Sequence, residues 1–154
     1  MGTVTTADPM LRPARSDDYD RIAAVVDDWW GRPVLRSLPR LFLDHFHPTS
    51  LIAETGDGLA GFLVGIVSAS EPDRAYIHFV GVRPESRGRG LARTMYEHFF
   101  GIARDHGRRS VGAITSPVNE ASIAFHRRMG FTVAGPRADY NGPGEDMMIF
   151  SRPL

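Results

Sequence analysis

Apolar residues recur along the chain with two different periods, and each change of period marks an element. Ile22, Val25, Val26 and Trp29 sit at helical spacing, which predicts a helix from Ser16 to about Trp29. Ser16 with acidic Asp17 and Asp18 is a helix start, and Gly31 and Pro33 break the run. A second helix is predicted over Leu35–Phe46, with Leu38, Leu41, Phe42 and His45 on one side and His47-Pro48 ending it. The period then shortens. Leu51–Glu54 reads as a short strand, Thr55-Gly-Asp-Gly58 as a hairpin turn, and Leu59–Ala69 as a long strand apolar on both faces, hence central. Glu71-Pro72-Asp73 turns the chain into a strand over Ala75–Val82. A long helix follows over Gly90–His106, with Leu91, Met95, Phe99, Ile102 and Ala103 on one face and His106-Gly107 closing it. Ser110–Thr115 is a strand, Asn119 caps a helix reaching Met129, and strands at Phe131–Ala134 and Asp146–Ser151 finish the chain. A Gly/Pro-rich loop, 135–144, lies between those last two strands. Met10–Pro13 is a short edge strand, where proline is tolerated. The order β-α-α-β-β-β-α-β-α-β-β predicts an α+β fold, a mixed sheet with helices packed on it. Residues 1–8 read as a flexible tail and 9–154 as a single domain.

Composition narrows the chemistry. Eighteen basic residues balance eighteen acidic ones, so no overall field draws in a nucleic acid backbone. Every basic residue is arginine, so a lysine Schiff base is excluded. With no cysteine, thiol nucleophiles, disulfides and thiolate metal sites are excluded too. The histidines lack partners at metal-ligand spacing. The longest apolar run, Leu59–Val67, is too short to cross a bilayer, and Met1–Met10 shows no secretion pattern, so the expectation is a cytoplasmic protein with no membrane partner.

The stretch V-R-P-E-S-R-G-R-G-L-A, 82–92, sets glycines between the end of a strand and the start of a helix. Glycine lets a ligand approach backbone and permits positive φ. The first amides of a helix lack intrahelical partners, and the helix dipole adds partial positive charge. Together these make an anion pocket suited to phosphate, to which Arg87 and Arg89 add charge and forked hydrogen bonds. The nucleotide loop G-x-x-x-x-G-K-[ST] is absent, and the dinucleotide pattern beginning at Gly88 and Gly90 meets Arg93 where its third glycine belongs.

What fits is R-x-x-G-x-A from Arg87 through Gly90 to Ala92, preceded by V-x-P at Val82–Pro84. This resembles the pyrophosphate-binding signature of the GNAT superfamily of acetyl-CoA-dependent N-acetyltransferases. N-E-A-S-I-A-F-H-R-R-M-G-F, Asn119–Phe131, resembles that superfamily's following motif. The resemblance covers about 9–151. It implies a central, mixed, mostly antiparallel twisted sheet flanked by about four helices, with acetyl-CoA as acetyl donor. It implies that strands 75–82 and 110–115 splay at Gly81 and near Ser116. Backbone at Val80, Gly81 and Val82 would then meet the pantetheine arm, and amides of Gly88, Arg89, Gly90, Leu91 and Ala92 the diphosphate. Asn119 would reach the pantetheine, with Phe125 beside it. No metal is implied, and a homodimer is one family option.

An alkylamine titrates near ~10, so supplying the free amine at pH 7 costs about 4 kcal/mol, and a general base lowers that barrier. Alternation puts Tyr76, His78, Val80 and Val82 on one face of their strand. The resemblance offers His78 as base, directly or through water, or Tyr76 as base or relay, and the Val80 amide as oxyanion donor. A strand histidine held in the core is the plainer reading of His78. Where many relatives carry a tyrosine acid this chain has His126, which either donates the proton or lines the cofactor tunnel; Tyr140 is another acid candidate. D-D-W-W-G-R-P, 27–33, offers Trp29 and Trp30 with carboxylates as a box for a cationic amine, against a reading of Trp29 as core and Trp30 as rim. The expected activity is direct acetyl transfer in a ternary complex to a primary amine of a small molecule or peptide. A catalytically weak acyl-CoA sensor on the same fold is the alternative. An RNA-binding reading of R-G-R-G conflicts with net neutrality.

Overall fold

The computed structural model describes residues 8–154. Seven of the eight residues assigned above to a tail lie outside them. The strands are β1 Met10–Pro13, β2 Leu51–Thr55, β3 Gly58–Val67, β4 Arg74–Val82, β5 Ser110–Thr115, β6 Thr132–Arg137 and β7 Met147–Pro153. The helices are α1 Tyr19–Trp30, α2 Leu41–Phe46, α3 Leu91–Asp105 and α4 Glu120–Arg128. The seven strands make a mixed sheet in the order β1-β2-β3-β4-β5-β7-β6. Element order and strand type follow the apolar pattern throughout.

The second helix differs from its sequence expectation. A 3-10 turn over Leu35–Ser37 is followed by a break, and α2 starts only at Leu41. Pro39 supplies the reason: it has no N–H to donate and pushes the residue before it out of the α region. Leu38 indeed sits at φ −132°, ψ 69°.

The chain divides into two compact units. The first holds the described residues up to Ile66 together with Phe79–Phe99. Its core gathers Ile22, Val26 and Trp29 of α1 with Leu38, Leu43, Ile52, Phe62 and Val64. The stripe read from the sequence is therefore the buried face of α1. On β3, residues 60–65 are all buried, which explains an apolar run with no alternation. Two glycines there admit α3: a Cβ at Gly61 would lie 3.1 Å from Leu91 and one at Gly65 would lie 2.2 Å from the Phe99 ring. At the chain's start Asp18, 2% exposed, accepts two hydrogen bonds from Arg12 at 2.8 and 2.9 Å and one from the Arg15 amide at 2.7 Å. A carboxylate buried that deeply is tolerable only with such partners.

The second unit holds Val67–His78 and Phe100–Leu154. Its β5 pairs antiparallel with β7 from Ser110↔Pro153 to Thr115↔Met148, and β7 pairs antiparallel with β6. The parallel pair is β4 with β5, joined over three rungs, Arg74↔Ser110, Ala75↔Val111 and Tyr76↔Gly112. Those rungs end five residues before Gly81, the splay point that the resemblance implies. Phe131 and Phe150 are buried here, with the Arg152 guanidinium 4.4 Å over the Phe100 ring. Among the described residues no helix is long and apolar enough to cross a membrane.

Candidate active site

In the first unit the strand-to-helix passage is built as the glycine pattern requires. β4 ends at Val82, Pro84–Ser86 makes one 3-10 turn, and α3 opens at Leu91. Gly88 and Gly90 have φ of +76° and +79°, where a side chain is strained. A Cβ at either position would meet nothing within 4 Å. The protein's own packing therefore does not demand glycine there; the backbone conformation does. The first hydrogen bond of the helix ladder is Thr94 N–H to the Gly90 carbonyl at 3.0 Å. The amides of Gly90, Leu91, Ala92 and Arg93 precede it and have no acceptor within the helix.

Arg87, read from the sequence as adding charge to the anion pocket, also binds backbone. Its Nε donates to the Val82 carbonyl at 3.2 Å and its Nη2 to the Trp29 carbonyl at 2.6 Å. Those two bonds make it a brace between the turn, the end of β4 and the end of α1. Arg89 is exposed on the turn.

The tryptophan pair is packed rather than displayed. Trp29 is 9% exposed and stacks on Phe62 at 6.1 Å. Trp30 is half-buried, 4.8 Å from Phe79 between ring centroids. A Cβ at Gly81 would lie 2.5 Å from Phe62 and 3.1 Å from Trp30, so glycine at 81 makes room for these rings. The Asp27 carboxylate accepts from the amides of Val34 and Leu35 at 2.8 and 3.0 Å, which fastens the turn after α1. The proposed amine box is thus committed to packing at Trp29 and to backbone at Asp27. On β4, Ala75, Ile77 and Gly81 are buried while Tyr76, His78, Val80 and Val82 are half-buried, and Phe79 interrupts the alternation by being half-buried too.

In the second unit Tyr76 lies on the last β4–β5 rung. Burial, with the Tyr140 phenol adding to it, pushes the Tyr76 phenol up to about 12, and Arg74 opposes the shift. Tyr76 is therefore a neutral phenol near pH 7. The Asn119 side chain accepts from the Ser122 amide at 3.1 Å, so it caps α4. Phe125 meets His126 edge-on at 5.4 Å.

His126 sits inside an aromatic cluster of the second unit. It is 5% exposed, its ring stacks on Phe150 at 4.0 Å and 10°, and it meets Phe131 edge-on at 5.1 Å. Nδ1 lies 2.8 Å from the Ser122 carbonyl and donates to it. Burial lowers the imidazole pKa, with that hydrogen bond opposing. Near pH 7 it is a neutral histidine built into an aromatic cluster, with its Nδ1 proton engaged by backbone. The i, i+4 spacing from Ser122 was visible in the sequence; the stack on Phe150 was not.

The sequence reading passed over Arg74. Its guanidinium crosses Gly112, where a Cβ would lie 2.4 Å from Nη2, and reaches the Ser151 hydroxyl at 3.4 Å. A glycine inside a strand was the available signal, since such glycines often mark a close approach.

A mixed sheet in which β4 and β5 run parallel, and a positive-φ glycine turn leading into a long helix, define the class. The chain belongs to the acetyltransferase (GNAT) family, whose model matches residues 15–131. It is 34% identical to the streptothricin acetyltransferase of Streptomyces lavendulae over 109 residues, 68% of this chain and 57% of that protein. It is 31% identical to the L-2,4-diaminobutyric acid acetyltransferase of Nocardia farcinica (strain IFM 10152) over 85 residues, 55% of this chain and 44% of that one. The chain thus spans about half the length of the curated relatives it matches. Among solved structures, N-acetylglutamate synthase from Neisseria gonorrhoeae, complexed with coenzyme A and N-acetyl-glutamate, shares the fold at TM-score 0.78 and 24% identity, over 96% of this chain and 35% of that one.

Proposed function

We propose that the chain is an N-acetyltransferase that moves the acetyl group of acetyl-CoA directly to a primary amine of a small molecule or peptide, in the cytoplasm. Residues 9–154 would work as one domain, since β4 and α3 each run through both units. The observation that carries the reading is the turn at Gly88 and Gly90: two positive-φ glycines, with open space over them, before the first turn of a fifteen-residue helix. Family membership and the names of the relatives, acetyltransferases of streptothricin and L-2,4-diaminobutyric acid, support the same reading. Nothing in them favours a silent acyl-CoA sensor.

The amides of Gly88–Ala92 would hold the diphosphate. The backbone of Val80–Val82 would meet the pantetheine arm, with the Val80 N–H serving the carbonyl oxygen. Asn119 and Phe125 would lie along that arm. The amine nitrogen bonds to the acetyl carbon as the carbon–sulfur bond breaks. His78, directly or through water, would take the amine's proton. Tyr76, held as a phenol, suits the donor side and would supply a proton toward the leaving thiolate.

Calorimetric titration with acetyl-CoA, followed by thiol-release assays across amino acids, diamines, aminoglycosides and peptides, tests this. Binding together with turnover of at least one amine is expected. Absence of binding would sink the reading, and binding without turnover of any amine would put the sensor in its place. One cooperative unfolding transition is expected of a single domain, and light scattering checks the homodimer.

A further inference from the structure

Tyr76, Gly112 and Ser151 stand in one lateral row across β4, β5 and β7, because Tyr76 pairs with Gly112 and Gly112 with Ser151. In-register neighbours in a sheet share a face, and residues two apart on a strand share it too. Arg74 therefore rises from the same face as Tyr76. The middle of the row has no side chain, and the Arg74 guanidinium fills that gap. A Cβ at Gly112 would lie 2.4 Å from Nη2 and 2.8 Å from both Cζ and Nε. The guanidinium is held from two directions, Nη1 by the Ser151 hydroxyl at 3.4 Å and Nε by the Glu71 carboxylate at 3.9 Å, while the Arg74 backbone amide donates to the Glu71 carbonyl at 3.0 Å. The guanidinium thus lies over the residue that pairs with Tyr76, on the strand face from which the half-buried phenol also rises.

We propose that Arg74 is a positioning residue for Tyr76: laid across Gly112 and tied to Ser151, it fixes the phenol at the rung where β4 and β5 cease to pair. The proposal rests on the acetyltransferase reading for its kinetic consequence, but not for its physical one. The charged and titratable groups around the phenol agree with the arrangement. Arg74 acts on it from β4 and Tyr140 from the loop after β6, with opposite signs. No sequence motif marks this arginine; its position becomes meaningful only through the glycine opposite.

Two variants displace the guanidinium in different ways. Arg74→Met removes it. Gly112→Ala keeps it but puts a methyl where it lies, and the group that must yield is the far end of a flexible side chain, so the fold survives. Each is expected to lower kcat about tenfold while the KM for acetyl-CoA stays within about twofold, since misplacement of a reacting group acts on kcat. Arg74→Lys, with its charge but no planar fork, is expected to recover only part of the loss. In a Tyr76→Phe background, Arg74→Met should cost little more. An equal loss there would overturn the proposal, as would an unchanged kcat in both variants. The physical arm needs no activity. Carbon-13 relaxation of the tyrosine rings, with Tyr76 assigned from Tyr76→Phe, should show its ring more mobile in both variants. A ring as rigid as in the parent would overturn the proposal even if the chain turned over no amine, whereas loss of turnover in the parent alone counts only against the acetyltransferase reading.

Discussion

The Arg87 guanidinium donates to the carbonyl of Trp29 at 2.6 Å, across 58 residues of sequence. Its Nε holds the Val82 carbonyl at 3.2 Å, so one side chain ties the last turn of α1 to the end of β4. Arg87→Met keeps length and apolar stem but loses both bonds, at about 1 kcal/mol each. Ligand-free protein should then melt several degrees lower, and CoA should bind more weakly because the turn is looser. Calorimetry on the ligand-free variant checks it. An arginine that served only the diphosphate would leave the ligand-free melting temperature where it was.

The glycines of the first unit fall into two kinds, and substitution separates them. Gly81→Ala drives a methyl to 2.5 Å from the Phe62 ring, and overpacking of this sort costs about 1–3 kcal/mol. Gly90→Ala meets no neighbour within 4 Å, so only the positive φ resists it, at about 1–2 kcal/mol. Gly90→Val should leave the chain folded while a branched side chain stands over the helix amides, and CoA affinity should drop by at least ~100-fold, as expected when a backbone anion site is covered. Retained affinity in folded Gly90→Val would remove the diphosphate assignment.

These contrasts also mark what the sequence could and could not tell. The turn at Gly88–Gly90 was legible because its signal is local: glycines between a strand and a helix have few other uses. The elements were legible because Ile22, Val26 and Trp29, or Leu91, Met95 and Phe99, repeat at fixed spacing. Pro39 carried its own warning, which the apolar spacing around it outweighed. Side-chain partners were not legible. That Arg87 also binds the Trp29 carbonyl could not be read from its place in the glycine turn. The stack of the His126 ring on Phe150 was hidden in the same way. Such pairs join residues distant in sequence, and only tertiary packing selects them.

His126 makes a pH prediction with a definite sign. Burial sets its folded pKa below the ordinary 6.5, so the unfolded chain binds the proton more readily. The stability it contributes is complete above that ordinary value and is lost as pH falls through it toward the folded pKa. His126→Phe keeps an aromatic ring against Phe150 and removes the titration. Urea unfolding at pH ~7.5 and ~5.5 should show a smaller drop in stability for the variant than for the parent. The same drop in both would mean that His126 does not carry the proton linkage.

The half-buried face of β4 presents Tyr76 and His78 two residues apart, and the two should respond differently to substitution. Tyr76 is pushed up to about 12, so its phenol stays protonated through the whole range in which an amine acetyltransferase would be assayed. It therefore cannot produce an acidic limb in a plot of kcat/KM against pH. A general base that must lose its proton before turnover does produce one. His78→Ala is expected to lower kcat about 10²–10⁴-fold and to abolish the acidic limb, while Tyr76→Phe should lower kcat and leave that limb in place. Rate profiles from pH ~5.5 to ~9 with saturating acetyl-CoA measure both. If the limb persists in His78→Ala, the base is elsewhere, and if it vanishes in Tyr76→Phe, the phenol takes part in the proton removal assigned here to the imidazole.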